Sequence, residues 1–250
     1  MQFIEVSKDN QIAIVRLKRG KVNALNEPLV EEIYQCFKEL EDDYDTRAVI
    51  VTGQGSFFSF GFDIPEFLSY SPKEFARYLT KFTGLYTYIF AYPKPVVMAL
   101  NGHTIAGGCM LAIAGDYRVM VSGKARISLN ELSFGSSVFA GSVIMLKYLT
   151  GARFAEQVLL GASMYSAEQA KSMGLVDEVA TEAELMKAAT ARAQEYLGKY
   201  PPAFASIKGH LRKSVVAEMI QVETKSIEDF IEIWYSENTQ KNIREIKIRG

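Results

Sequence analysis

Three short stretches hold the residues whose types and spacing could do chemistry. SFFSFGFDIPEF sets Gly61 after an apolar run, with Phe62 and Asp63 opening the next segment. NGHTIAGGCMLAIAGD puts Gly107 and Gly108 where an almost wholly apolar helix begins. Each glycine turn can point a backbone N–H outward from a helix start, where the dipole favours negative charge. Two such donors converging on one oxygen would stabilise an oxyanion developing in a transition state. The same glycines also serve plain close packing, and a glycine turn alone does not separate the two readings. The third stretch, ISLNELSFG, holds Glu131 between Leu129 and Leu132, beside Asn130. In apolar surroundings its carboxyl would have a raised pKa suited to carrying a proton near neutral pH; at a strand end it would be an ordinary surface glutamate.

The other reactive side chains offer less. His103 precedes the glycine pair and His210 lies in a basic helical stretch, and neither belongs to a visible Ser-His-Asp or metal arrangement. Cys36 and Cys109 are far apart with no ligand spacing around them, so no metal and no structural disulfide are expected.

The elements that must position these residues read as alternating strands and helices. FIEV and IAIVRL form a hairpin around Lys8-Asp9-Asn10, and a helix with Pro28 in its first turn runs to about Tyr44. Leu29, Ile33, Phe37 and Leu40 give that helix one apolar stripe at three- and four-residue steps. AVIVTG, PVVMALNG, DYRVMV and ARISL read as strands, with helices over 73–91, 108–115, 141–149, 153–160 and 167–173. This alternation predicts an α/β fold. Beyond about residue 180 the strands stop, and 182–199, 203–219 and 222–248 read as helices broken at Tyr200-Pro201-Pro202. The expected division is an α/β core over 1–180 and a helical C-terminal region over 181–250.

Composition excludes several classes. With 28 basic and 29 acidic residues the net charge is −1, which gives no support for a nucleic-acid partner. An apolar fraction of 48% suits a packed core, yet no run of about 18 apolar residues predicts a membrane span. MQFIEVSKDNQIAIVRLKR alternates like a strand and lacks the plan of a secretory signal, so a cytoplasmic setting is expected.

Five segments in order carry a resemblance over essentially the whole chain: KVNALN, AVIVTGQGSFFSFGFDI, KPVVMALNGHTIAGGCMLAIAGDYRV, the Glu131 segment, and SAEQAKSMGLVDEV. Together they resemble the crotonase, or enoyl-CoA hydratase/isomerase, superfamily. The resemblance implies a spiral of β-β-α units with a helical trimerisation region, an acyl-CoA thioester as substrate with no other cofactor, and a homotrimer or dimer of trimers. It places the oxyanion donors on the backbone N–H groups of Phe62 and Gly107, and the CoA moiety along Val22, Ala24, Phe60, Asp63, Ile64 and Ala106.

One departure from the family pattern directs the reading. Family hydratases use two glutamates, and the first of these positions is Met110 here, while the second is Glu131. A methionine neither accepts nor donates a proton usefully. One carboxylate is enough to take a proton from C2 of a 3-enoyl thioester and return it to C4, and SLNEL with WYSENTQKNIREI resembles the Δ3,Δ2-enoyl-CoA isomerase branch. The leading expectation is therefore an enoyl-CoA isomerase with Glu131 as sole acid/base. The alternatives are another crotonase reaction (hydration, decarboxylation or thioester hydrolysis, with His103, Ser136 or Ser137 as helpers) or acyl-CoA binding without turnover. The aromatic segment FARYLTKFTGLYTYIF is a candidate lining for the acyl chain. The basic residues Lys208, Arg212, Lys213, Lys241, Arg244, Lys247 and Arg249 read as solvated helix faces, some of them available to CoA phosphates.

Overall fold

The structure, a computed structural model, describes residues 1–245. β1 (Ile4–Asp9) and β2 (Ile12–Leu17) form the expected hairpin, and Asn10 turns the chain at φ 54, a region asparagine tolerates. α1 (Glu27–Asp42) starts where the Asn26 side chain accepts from Leu29 N and Pro28 fits the first turn; its buried stripe includes Leu29, Ile33, Phe37 and Leu40.

The chain then repeats one plan three times. β3 (Ala48–Gly53) and β4 (Phe57–Ser59) lead into α2 (Ile64–Phe67) and α3 (Pro72–Ala91). β5 (Val96–Leu100) and β6 (His103–Ile105) lead into α4 (Gly107–Ile113). β7 (Tyr117–Val121) and β8 (Ile127–Ser128) lead through a 3-10 turn at Glu131–Phe134 into α5 (Ala140–Gly161). α6 (Ala167–Ser172) and β9 (Glu178–Ala180) follow, and then come α7 (Leu185–Leu197), α8 (Pro201–Trp234) and α9 (Glu237–Arg244).

In each repeat the first strand joins a six-stranded sheet, ordered β1-β2-β3-β5-β7-β9, and the second joins a three-stranded sheet, ordered β4-β6-β8. All pairings except the β1–β2 hairpin are parallel. This is the spiral of β-β-α units expected from the resemblance. It has one consequence for function. Residues just past the carboxyl ends of β4, β6 and β8 must emerge side by side, and those residues include Phe62, Gly107 and Glu131.

Two sets of contacts hold the helices on this frame. α7 lies across β3, β5 and β7, where the fully buried Ala189 and Ala193 allow close approach. α8 packs on α3 and α5 and is tied to the large sheet by charge. Asp116, the residue before β7, accepts from Val96 N and pairs with Lys208 at 2.7 Å and Arg212 at 3.0 Å. Lys208 and Arg212 are thus turned inward onto Asp116, a correction to their reading as solvated residues available to phosphate. Lys213, Lys241 and Arg244 are exposed, and Lys247 and Arg249 lie outside the described residues.

Other elements differ from expectation. α1 ends at Asp42 rather than Tyr44. The helices expected over 141–149 and 153–160 form one element kinked at Gly151, whose φ of 76° and ψ of 163° are open to glycine. α8 runs unbroken past residue 220, because nothing between Pro202 and Trp234 removes a helical hydrogen bond, and the chain breaks at Tyr235-Ser236 instead.

Candidate active site

The two glycine turns touch. Gly61 has φ 100°, and a Cβ there would come 2.9 Å from Ile105 O and 3.0 Å from Gly107 N. Any larger residue would therefore push the turns apart. Around Gly61 the backbone is pinned on both sides: Leu25 N donates to Gly61 O at 2.7 Å, and Asp63 N donates to Leu25 O at 3.0 Å. Ser59 Oγ satisfies Gly61 N at 3.1 Å. The Phe62 N–H, between these fixed groups, has no acceptor among the described residues.

Gly107 is presented by a similar device. Ala106 takes φ 50° and ψ −121°, a sparsely populated conformation, and α4 begins with no side-chain cap. The first amides of a helix have no partner within it, and Gly107 N–H has no acceptor among the described residues. Gly108 answers to packing: a Cβ there would meet Ser59 O at 2.5 Å. The pair thus divides its labour, with Gly107 baring an amide and Gly108 letting α4 close on β4.

Phe62 turns its ring away into an aromatic cluster, with centroids 5.3 Å from Tyr78 and 5.0 Å from Phe82. The aromatic residues of α3 therefore back Phe62 and do not line the cavity, contrary to their reading as the acyl lining.

Phe62, Gly107 and Glu131 all line one cavity of about 200 Å³. Glu131 is 4% exposed, and neither carboxylate oxygen has a partner among the described residues. Burial without a compensating charge pushes its pKa up to about 8. Met110 lines the same cavity and is 1% exposed, and among the described residues that line it Glu131 is the one acid. Among the described residues no group of three or more His, Cys, Asp or Glu could hold a metal ion.

The residues assigned by resemblance to CoA are distributed around this opening. Phe60, Ile64 and Ala106 line the cavity. Val22 accepts from Phe60 N at 2.9 Å, and Ala24 O accepts from Arg19 Nη1 at 2.9 Å, so both sit on the strip beside the first turn. Asp63 caps α2 and pairs with Arg19 at 2.6 Å. The helpers sort differently. His103 is outside the cavity, its ring tilted against that of Phe57 with centroids 5.0 Å apart and its Nδ1 accepting from Arg126 N, and burial lowers its pKa. Ser137 donates to Val138 O at 3.4 Å, away from the cavity. Ser136 does line it, with Oγ buried and unpartnered.

Sequence reasoning missed the far wall. Phe134, Phe230 and Trp234 line it, with Asn130, and Trp234 Nε1 and Asn130 Oδ1 are buried without partners among the described residues. A signal was available, because Trp234 is the single tryptophan of the chain and falls in WYSENTQKNIREI.

Known proteins are similar to this chain along almost its whole length. The family model described as enoyl-CoA hydratase/isomerase matches residues 7–246. A probable enoyl-CoA hydratase of Bacillus subtilis is 32% identical over 210 residues, covering 83% of this chain and 81% of the relative. Mitochondrial enoyl-CoA delta isomerase 1 of Mus musculus is 28% identical over 243 residues, covering 96% of this chain and 84% of the relative. The crystal structure of human mitochondrial delta3-delta2-enoyl-CoA isomerase superposes with a TM-score of 0.92 at 26% identity, covering 97% of this chain and 96% of that one.

Proposed function

The chain belongs to the enoyl-CoA hydratase/isomerase family, and from that premise we propose that it is an enoyl-CoA isomerase which moves a 3-enoyl double bond to the 2-position. The observation that carries this reading is that, among the described residues lining the cavity, one carboxylate stands alone. Glu131 shares a cavity with two free backbone amides, and Met110 occupies the wall where a second acid would stand.

The chemistry follows from those groups. The thioester oxygen accepts from Phe62 N–H and Gly107 N–H, which makes the C2 proton removable by stabilising the dienolate. Glu131 takes that proton, the electron pair moves through C3, and Glu131 returns the proton to C4 as the new C2–C3 double bond forms. A carboxyl held near pKa 8 is close to the operating pH, so it both accepts and releases the proton readily. Met110, Phe134, Phe230 and Trp234 keep bulk water from the dienolate and receive the acyl chain. The CoA moiety lies outside this cavity along Val22, Ala24, Phe60, Asp63, Ile64 and Ala106, held largely by main-chain groups.

The working form is a homotrimer or a dimer of trimers. Ile207, Leu211 and Ile220 support association: they stand 60%, 59% and 65% exposed on α8, apolar surface that a partner subunit would cover. No helix among the described residues is long and apolar enough to cross a membrane.

A second reading, hydration of a 2-enoyl thioester, is favoured by one observation. Asn130 Oδ1 and Ser136 Oγ are buried, have no partners among the described residues, and belong to residues that line the cavity with Glu131, where they could hold a water. The test is Glu131→Gln assayed on a 3-enoyl-CoA. Loss of about 10²–10⁴-fold in kcat is expected of an acid/base group; a loss under about tenfold would remove Glu131 from that role.

A further inference from the structure

We propose that α9 is a strap that sets the position of Glu131, which makes Thr239 and Asn242 positioning residues for the acid/base. The inference rests on the reading of Glu131 given above.

Among the described residues the Glu131 carboxylate has no hydrogen-bond partner, so its place is set by its backbone and by packing. That backbone is the 3-10 turn Glu131–Phe134, ended by Gly135 at φ 82°. Inside the turn Gly135 N donates to Leu132 O at 3.1 Å and Ser136 N to Glu131 O at 3.0 Å. The carbonyls of Phe134 and Gly135 point the other way, and a short helical turn leaves such end groups in need of outside donors. α9 supplies both. Thr239 Oγ1 donates to Gly135 O at 2.5 Å, and Asn242 Nδ2 donates to Phe134 O at 3.2 Å.

The contact is tight as well as polar. A Cβ on Gly135 would lie 3.3 Å from Asn242 Nδ2 and 3.5 Å from Thr239 Oγ1, so turn and helix meet backbone to side chain. α9 is itself anchored. Thr239 and Ile243 are each 1% exposed, the Ser236 side chain caps the helix by accepting from Thr239 N, and Gln240 Nε2 donates to Trp234 O at 2.9 Å. This last bond ties the strap to the end of α8 that forms the cavity wall. A shift of α9 therefore moves Glu131 relative to C2 and C4 while the two oxyanion amides, which sit on other repeats, stay in place.

The test compares Thr239→Val, Asn242→Leu and Thr239→Ser, with steady-state kinetics on a 3-enoyl-CoA and hydrogen exchange of the amides of residues 133–136. Misplacing a reacting group by about 1 Å costs up to about 10²-fold. Thr239→Val and Asn242→Leu are expected to lower kcat by about 10- to 100-fold with KM within about twofold, and to speed exchange at 133–136 but not in β3 or β5. Thr239→Ser, which keeps the hydroxyl, is expected to restore kcat to within about threefold of the original. Unchanged kcat and exchange in both disruptive variants would overturn the strap. So would a fall in kcat accompanied by raised KM and faster exchange throughout the large sheet, which marks a general loss of stability. If the unmodified protein does not isomerise, the reading of Glu131 fails by itself, and unchanged exchange at 133–136 still overturns the strap.

Discussion

Replacing Glu131 by glutamine is expected to lower kcat by about 10²–10⁴-fold and, at neutral pH, to make the protein more stable. In the folded protein the Glu131 carboxyl is pushed from 4.5 to about 8 by burial. In the unfolded chain it ionises near 4.5, so between these values the folded state binds a proton that the unfolded state has released. Stability from this group is complete below about pH 4.5 and drains away as pH rises, by about 1.4 kcal/mol per pH unit, until about pH 8. By pH 7 the loss is about 3 kcal/mol. Glutamine has no such dependence. It also keeps the size and the unpartnered polar atoms of the protonated acid, so Glu131→Gln and the original should be nearly equal at pH 5. The gap should widen through pH 6 and 7 and level off near pH 8. For a chain of this length about 3 kcal/mol corresponds to roughly 6–12 °C in Tm. The assay is scanning calorimetry of the unliganded proteins at pH 5, 6, 7 and 8. Glu223, raised to about 7 beside Tyr86, titrates in both proteins and cancels in the difference. A difference in Tm that stays constant over this range would mean, to the contrary, that Glu131 is already ionised and hydrated when folded.

Two further outcomes follow from particular contacts. Gly61→Ala places a Cβ 3.0 Å from Gly107 N at a position with φ 100°, so it should part the two amides and lower kcat by about 10²–10³-fold; kinetics on a 3-enoyl-CoA with KM measured alongside checks this, and kcat within a few-fold of the original would contradict it. Asp116→Asn strands Lys208 and Arg212, both largely buried, and should destabilise the protein by about 3–5 kcal/mol in chemical denaturation, whereas a change below about 1 kcal/mol would show that the three charges are hydrated.

How much of this was legible in the sequence depended on element length and on how local each cause is. β2, β3, β5 and β7 are five or six residues long and bounded by turns, enough for an apolar run to stand out. β4, β6 and β8 have two or three residues each, too few for any period, so only ARISL was seen of the small sheet that brings the site together. The glycines at its strand ends were visible, but their purpose was not. Gly61 shows its need only through a neighbour more than forty residues on, and Ala106, the strained residue that bares Gly107, carries no mark in its residue type. Glu131 lay between the readings of buried proton carrier and surface acid, because α4 and α8, distant in sequence, are what bury it. Lys208 looked solvated for the same reason: its partner Asp116 is 92 residues away.

One carboxylate and two amides, as proposed, move a double bond and do not add water. The most direct measurement is to give the purified protein a 3-enoyl-CoA and, separately, a 2-enoyl-CoA, and to identify the products. The 3-enoyl substrate is expected to yield 2-enoyl-CoA, and the 2-enoyl substrate to yield 3-hydroxyacyl-CoA far more slowly. Formation of 3-hydroxyacyl-CoA at a rate comparable to isomerisation would contradict it.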